Sequence, residues 1–120
     1  MTKAIWKKEP EDHDYPAAES YLNLIYSPET AASFVRSLRF ASMTAFKAKD
    51  IVRASGLPML DEENIHVDKN ISKINKGHAM VPILLVRDIV NGKVVIADGY
   101  HRVCAVHYLD EDATIPCQIV

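Results

Sequence analysis

The fold is decided by the stretch from Val94 to Val106, which reads Val94-Val95-Ile96-Ala97-Asp98-Gly99-Tyr100-His101-Arg102-Val103-Cys104-Ala105-Val106. Its apolar start predicts a buried strand that ends at Asp98, and Gly99 permits a tight turn into a helix. The residues after Arg102 are apolar nearly all round. We therefore expect the helix to be buried on two sides, against a sheet and under an N-terminal helical hairpin.

The start of this helix has the chemistry of an anion site. A helix N-terminus presents unpaired N–H groups and a partial positive charge. Arg102 adds a planar guanidinium that suits phosphate or carboxylate oxygens, and His101 can donate hydrogen bonds as a cation or act as an acid or base. The same residues allow a structural alternative, in which His101 and Arg102 only cap or brace the turn through Asp98.

The residues around this stretch predict a small sheet. A branched apolar run at 81–86 and the segment 93–97, joined by Asn91-Gly92, are typical of two paired strands. The segment 115–120 predicts a closing strand. Pro116 indicates that this strand lies at an edge or begins there, because proline cannot donate to a strand ladder.

Helical patterns precede the strands. From Ala17 apolar residues recur at spacings of three and four, and Ser27-Pro28-Glu29 has the N-cap, proline and acidic residue that begin a second helix. These two helices predict a hairpin. The segment 46–55 fits either a short helix or an edge strand, and the period of residues 67–74 predicts a helix closed by Gly77.

Length and composition indicate one small domain, and its predicted helices and strands give it an α+β fold class. The chain has 120 residues, 48% of them hydrophobic and 25% charged, with a formal net charge of −2. Its predicted parts are an N-terminal arm at 1–16 that Trp6 pins to the body, a helical hairpin at 17–45, and a core of mixed sheet and helices at 46–120. We interpret the short acidic clusters, including the one at 11–14, as solvated turns.

The sequence predicts a cytoplasmic protein without a membrane partner. The N-terminus lacks the apolar region of a secretory signal, and no apolar run is long enough to span a bilayer. Cys104 and Cys117 lie in apolar runs, which indicates buried free thiols. Neither the cysteines nor the histidines have zinc-ligand spacing, so no metal site is predicted.

Three segments of the C-terminal half form a series: Ile71-Ser72-Lys73-Ile74, then Val81-Pro82-Ile83-Leu84-Leu85-Val86, then Val95-Ile96-Ala97-Asp98-Gly99-Tyr100-His101-Arg102. This series, within Ala48 to Val120, resembles the ParB/sulfiredoxin-like superfamily and is nearest to members with an Asp-Gly-x-His-Arg motif. In that superfamily the turn binds nucleotide phosphates. The resemblance implies that Gly99, His101 and Arg102 bind phosphate and that Asp98 shapes the turn.

Two further cations are candidates for the same ligand. The resemblance allows Lys73 as a second basic phosphate contact, against the alternative of a solvated lysine. Arg53 follows Lys49 by four residues, so the two repel each other on a helix unless an anion lies between them. A charged, solvated helix surface is the alternative for Arg53.

The sequence also departs from its apparent relatives. Tyr100 stands where sulfiredoxins need a cysteine, so sulfinic-acid reductase activity is not expected, and Cys104 is expected to face the core instead. ParB proteins continue into a helix-turn-helix region, whereas this chain ends at Val120 and lacks a basic stripe. Sequence-specific DNA binding and a ParB-like nuclease activity are therefore disfavoured.

Together these features predict a protein that binds a phosphate-bearing ligand, a nucleotide by resemblance, at Asp98–Arg102. The resemblance also allows phosphoryl transfer or nucleotide hydrolysis, with Mg²⁺ accompanying the nucleotide. No catalytic residue can be named, because nothing in the sequence places a carboxylate near His101. The alternative is a non-catalytic interaction module that keeps the fold and binds a protein partner, or a second copy, through its hairpin.

Overall fold

The computed structural model describes residues 3–120, which form an α+β fold, as predicted. In these residues the helices are α1 (Asp14–Leu22), α2 (Pro28–Phe40), α3 (Ala48–Ser55), α4 (Ile65–Asn75) and α5 (Tyr100–Leu109). The strands are β1 (Ile5–Trp6), β2 (Thr44–Lys47), β3 (Ala79–Met80), β4 (Ile83–Asp88), β5 (Lys93–Asp98) and β6 (Thr114–Ile119).

The main sheet has four strands in the order β2-β6-β4-β5. It is mixed, because β4 and β6 run parallel while β2 and β5 pair antiparallel with their neighbours. The short strands β1 and β3 pair in parallel at a separate site. This pairing joins the N-terminal arm to the body, and Trp6 packs against the core there.

Both faces of the sheet are buried, which explains the uninterrupted apolar run of β4. Side chains alternate along a strand, so Ile83 and Leu85 join the core formed with α3, α4 and α5. Leu84 and Val86 join the core formed with the hairpin of α1 and α2. The prediction that α5 lies under the hairpin is therefore wrong, since the sheet separates them.

Of the two alternatives for Pro116, an edge strand or the beginning of a strand, the edge position is wrong, because β6 is an interior strand. Its ladder with β4 begins at the pair Ile83↔Cys117, one residue after Pro116, so the proline precedes the region that is paired on both sides. On the other side Pro116 stands opposite Ala45 in β2. The edge positions belong to β2 and β5, and the ambiguous segment 46–55 contains both the end of β2 and α3.

Several local signals are confirmed. The Ser27 hydroxyl accepts a hydrogen bond from the Thr30 amide at 3.2 Å and caps α2. Gly77 has a φ of 78° and ends α4 with the hydrogen bond from the His78 amide to the Lys73 carbonyl. Cys104 and Cys117 are buried free thiols. Within residues 3–120 no helix is long and apolar enough to cross a membrane.

A buried amide ties the hairpin to the sheet. The Tyr15 hydroxyl donates to Gln118 Oε1 at 2.7 Å, and Gln118 Nε2 donates to the Ala41 carbonyl at 2.8 Å. The guanidinium of Arg39 lies 4.5 Å from the centroid of the Tyr15 ring and covers its outer face. Gln118 thus contacts a residue of α1 and the residue that ends α2.

We expect Gln118→Leu to lower the free energy of unfolding by about 1–3 kcal/mol, because it leaves the Tyr15 hydroxyl and the Ala41 carbonyl without their partners. Urea denaturation measures the loss. Adding Tyr15→Phe should recover part of it by removing the unpaired hydroxyl. A Gln118→Leu variant as stable as the wild type would show that this amide does not hold the hairpin.

Candidate functional site

The turn between β5 and α5 requires glycine. Gly99 has a φ of 107°, which residues with a side chain rarely adopt. A Cβ built on it would lie 2.9 Å from the Ile83 Cβ and closer still to the Cγ2 of that side chain. The chain reaches the turn through a β-bulge, since β5 has one residue more than β4 between the pairs Leu85↔Ile96 and Leu84↔Asp98.

Arg102 holds this turn from within. Its guanidinium donates to the Val81 carbonyl at 2.6 Å and to Asp98 Oδ2 at 2.9 Å. Both charged side chains are mostly shielded, with 15% of Arg102 and 21% of Asp98 exposed. The bracing role that the sequence left open is therefore present in the structure. Arg102 can offer a ligand only those N–H groups that these bonds leave free.

Asp98 carries a carboxyl that burial makes harder to ionise. Burial raises its pKa, the Arg102 cation opposes that rise, and the neighbouring Asp14 carboxyl adds to it. Asp14 belongs to the first turn of α1 and accepts a hydrogen bond from the Glu11 amide at 2.8 Å. The interpretation of this acidic cluster as a solvated turn is wrong for Asp14, which is buried beside Asp98.

A polar cleft of about 300 Å³ opens in front of the turn, between α4 and the start of α5. In the described chain no side chain caps the first turn of α5, whose amides follow Gly99. On the opposite wall, the N-cap Asn64 fixes the first turn of α4 by accepting from the His66 amide at 2.9 Å. The polar cleft is lined by His66, Lys69, Asn70, Lys73, Asp98, Gly99, Tyr100, His101 and Arg102.

Two histidines meet in the polar cleft. The ring centroids of His66 and His101 are 4.9 Å apart. Burial lowers the pKa of His101, and the positive charge that His66 can carry lowers it further. In the absence of a ligand, His101 is therefore neutral over more of the pH range than an ordinary histidine.

An apolar groove of about 540 Å³ lies on the other side of the turn. It shares Asp98, Gly99, Tyr100 and His101 with the polar cleft, so the two spaces are neighbours across the turn. The Tyr100 hydroxyl donates to the Pro58 carbonyl at 2.6 Å and joins the turn to the groove wall. The rest of the groove is lined by Ala17, Tyr21, Leu57, Pro58, Ile96 and Ala97.

The structure brings together most of the residues predicted from the sequence. Asp98, Gly99, His101, Arg102 and Lys73 all line the polar cleft. Arg53 does not, because its side chain on α3 is 88% exposed and lies 3.8 Å from the Asp50 carboxylate. The solvated alternative therefore describes Arg53.

Three cleft residues on α4 were missed by the sequence analysis. His66, Lys69 and Asn70 line the polar cleft together with Lys73. They stand at spacings of three and four, so they form one face of the helix. This polar stripe was visible in the sequence, but nothing local indicated that it faces the start of α5. Among residues 3–120 no group of three His, Cys, Asp or Glu side chains could hold a metal ion.

The family of the chain stays a prediction. Compared with protein-family models, with curated proteins and with solved structures, the chain matches none. The resemblance to the ParB/sulfiredoxin-like superfamily therefore rests on the sequence motif, and the function of the polar cleft follows from its own residues.

We expect Arg102→Ala to lower the free energy of unfolding by about 2–3 kcal/mol, because it removes two charge-assisted hydrogen bonds and leaves Asp98 unpaired. Chemical denaturation measures this. The matched control is Arg53→Ala, which should change stability by less than about 0.5 kcal/mol because the side chain is exposed. Equal losses in the two variants would contradict the bracing role.

The lowered pKa of His101 predicts a pH dependence of stability. The unfolded chain binds a proton near the ordinary histidine pKa while the folded chain resists it, so the folded state loses stability as pH falls below about 6.5. His101→Gln should reduce this loss between about pH 7.5 and pH 5.5. Denaturation at both pH values tests it, with the exposed His78→Gln as control. A wild-type pH profile in His101→Gln would refute the prediction.

Proposed function

We propose that this chain binds the phosphate group of a nucleotide in the polar cleft. The observation that carries the proposal is the convergence of two helices on one small space. The start of α5 supplies N–H donors and His101, while α4 supplies His66, Lys69, Asn70 and Lys73. Such a set combines the partial charge of a helix N-terminus with cationic side chains, which is how proteins hold phosphate.

The apolar groove supports a ligand larger than phosphate alone. Since it shares the turn with the polar cleft, a ligand with a phosphate in the cleft can place an uncharged, planar part against Tyr21, Leu57 and Pro58. A site with a few polar groups beside an apolar surface is typical of small-molecule pockets. The resemblance to nucleotide-binding members of the ParB/sulfiredoxin-like superfamily points to the same ligand class.

The proposal is binding, without an assigned reaction. Of the described residues that line the polar cleft, Asp98 supplies the carboxylate, and Arg102 engages it at 2.9 Å. A phosphoryl acceptor needs a base that is free to accept a proton. Phosphoryl transfer and nucleotide hydrolysis are therefore not part of the proposal. The cytoplasm, where nucleotides are abundant, remains the proposed location.

An interaction module remains the second candidate, and exposed apolar residues favour it. Leu24 at the hairpin turn and Phe40 at the end of α2 are 84% and 90% exposed. Ile89 and Val90 in the β4–β5 turn are similarly exposed, and that turn adjoins the hairpin because Tyr26 lies beside Asp88. Apolar surface of this kind is typical of protein contacts.

We expect the nucleotides ATP, ADP and AMP to stabilise the full chain in a thermal-shift panel, each with and without Mg²⁺. Pyrophosphate is included as a ligand that has phosphate groups but no nucleoside. A ligand at one hundred times its dissociation constant adds about 2.7 kcal/mol. The double variant Lys69→Ala/Lys73→Ala should bind at least about tenfold more weakly, since it loses two charged contacts.

Lys76→Ala is the matched control, because Lys76 is the C-cap residue of α4 and lies outside the polar cleft. Arg102→Ala is a poor reporter of binding, since it also removes the brace of the turn. If no nucleotide shifts the wild type, or if the double variant responds like Lys76→Ala, the binding proposal fails and the interaction module becomes the better explanation.

A further inference from the structure

We propose that His66 and His101 act as a pair that takes up a proton when a dianionic phosphate group enters the polar cleft. The inference rests on the proposed function for the position of the phosphate. It adds that binding strengthens as pH falls, and that the preferred ligand carries a terminal phosphate monoester.

The rings of His66 and His101 lie close together in the polar cleft. The two imidazoles come from different helices, His66 from the first turn of α4 and His101 from the first turn of α5, and their ring centroids are 4.9 Å apart. Both line the polar cleft. Neither makes a hydrogen bond to a protein acceptor through its side chain in the described chain, so both rings keep N–H donors for a ligand.

Several charged groups line the polar cleft together with His101. From α4 it faces His66, Lys69 and Lys73, from β5 it faces Asp98, and from α5 itself it adjoins Tyr100 and Arg102. Across the groove it faces Tyr21 of α1. The nearby carboxylate of Asp98 is already paired with Arg102. In the empty cleft, partial burial and the charge that His66 can carry therefore both oppose protonation of His101.

A bound dianion reverses this balance. Two negative charges beside the imidazoles stabilise the protonated form, so the pKa of His101 should rise on binding. A rise in pKa on binding requires proton uptake, and linkage then makes the affinity increase as pH falls. His101 is partly buried, so its interaction with a bound anion is screened less by salt than that of an exposed imidazole.

The same balance selects the class of phosphate. A phosphate monoester carries about −1.5 to −2 charges at neutral pH, whereas a phosphodiester carries a single charge. Two lysines and one protonated imidazole match the monoester more closely. The polar cleft should therefore favour a terminal nucleotide phosphate over the diester backbone of a nucleic acid.

The test uses inorganic sulfate, which stays a dianion throughout the pH range and so reports only on protons bound by the protein. Sulfate is titrated into the full chain while NMR follows the histidine ring signals. We expect wild-type affinity to be at least about threefold higher at about pH 5.5 than at about pH 7.5, and sulfate to raise the pKa of His101.

The variants separate the pair from the rest of the cleft. His101→Gln should bind sulfate with little pH dependence. His66→Gln should raise the pKa of His101 in the free protein, because it removes the neighbouring charge. His78→Gln, outside the polar cleft, should behave like the wild type.

Equal sulfate affinity at the two pH values, with an unmoved His101 signal, would overturn the proton uptake while leaving the anion site intact. Absence of sulfate binding at both pH values would also overturn the inference, and the nucleotide panel then decides separately on the proposed function.

Discussion

The Gly99 backbone lies against the Ile83 side chain, in a space where no Cβ fits. Ile83 begins β4, the strand that pairs with both β5 and β6, so this contact sets the start of α5 against the middle of the sheet. Arg102 secures the same place from the other side by bonding the Val81 carbonyl, two residues before Ile83. The direction of α5 and the position of its first amides depend on these contacts.

This arrangement divides two roles that the motif had seemed to combine. Arg102 is held by Val81 and Asp98, and its charge is largely offset by the Asp98 carboxylate. The uncompensated positive charge of the polar cleft comes from Lys69 and Lys73 on α4. Arg102 thus braces the turn, and a second helix supplies the lysines that line the polar cleft.

Helix caps could be predicted because they depend on neighbouring residues. Strand order and the layer to which a helix belongs could not, because they depend on residues far apart in the chain. Ser27 and Gly77 act within one helical turn of their own positions, so the sequence was enough to assign them. Pro116 left an edge strand and the beginning of a strand both open, because the sequence does not show that the ladder with β4 begins one residue later. The hairpin was placed over α5 because an apolar helix does not reveal which face of the sheet covers it.

The candidate site likewise has residues that are neighbours in the sequence and residues that only packing brings together. The turn from Asp98 to Arg102 is contiguous, so the motif alone grouped its residues, but it left open whether Arg102 braces the turn or contacts a ligand. His66 and Lys69 join it only because α4 packs along α5, although α4 ends at Asn75 and α5 begins only at Tyr100. Arg53 was a candidate because of its helical spacing from Lys49, yet its side chain on α3 is exposed to solvent. Spacing identifies a helix face, and only packing decides what that face meets.

The polar cleft also imposes a cost on the fold. Two lysines and the positive end of α5 line it together, and like charges brought together lower stability. The opposite face of α4 compensates, because Val67, Ile71 and Ile74 are buried against the core. Positive charge concentrated at one place and held there by a buried helix face is typical of sites that a ligand completes. Partial burial and the charge that His66 can carry lower the pKa of His101, and these are the effects that the proposed anion would offset.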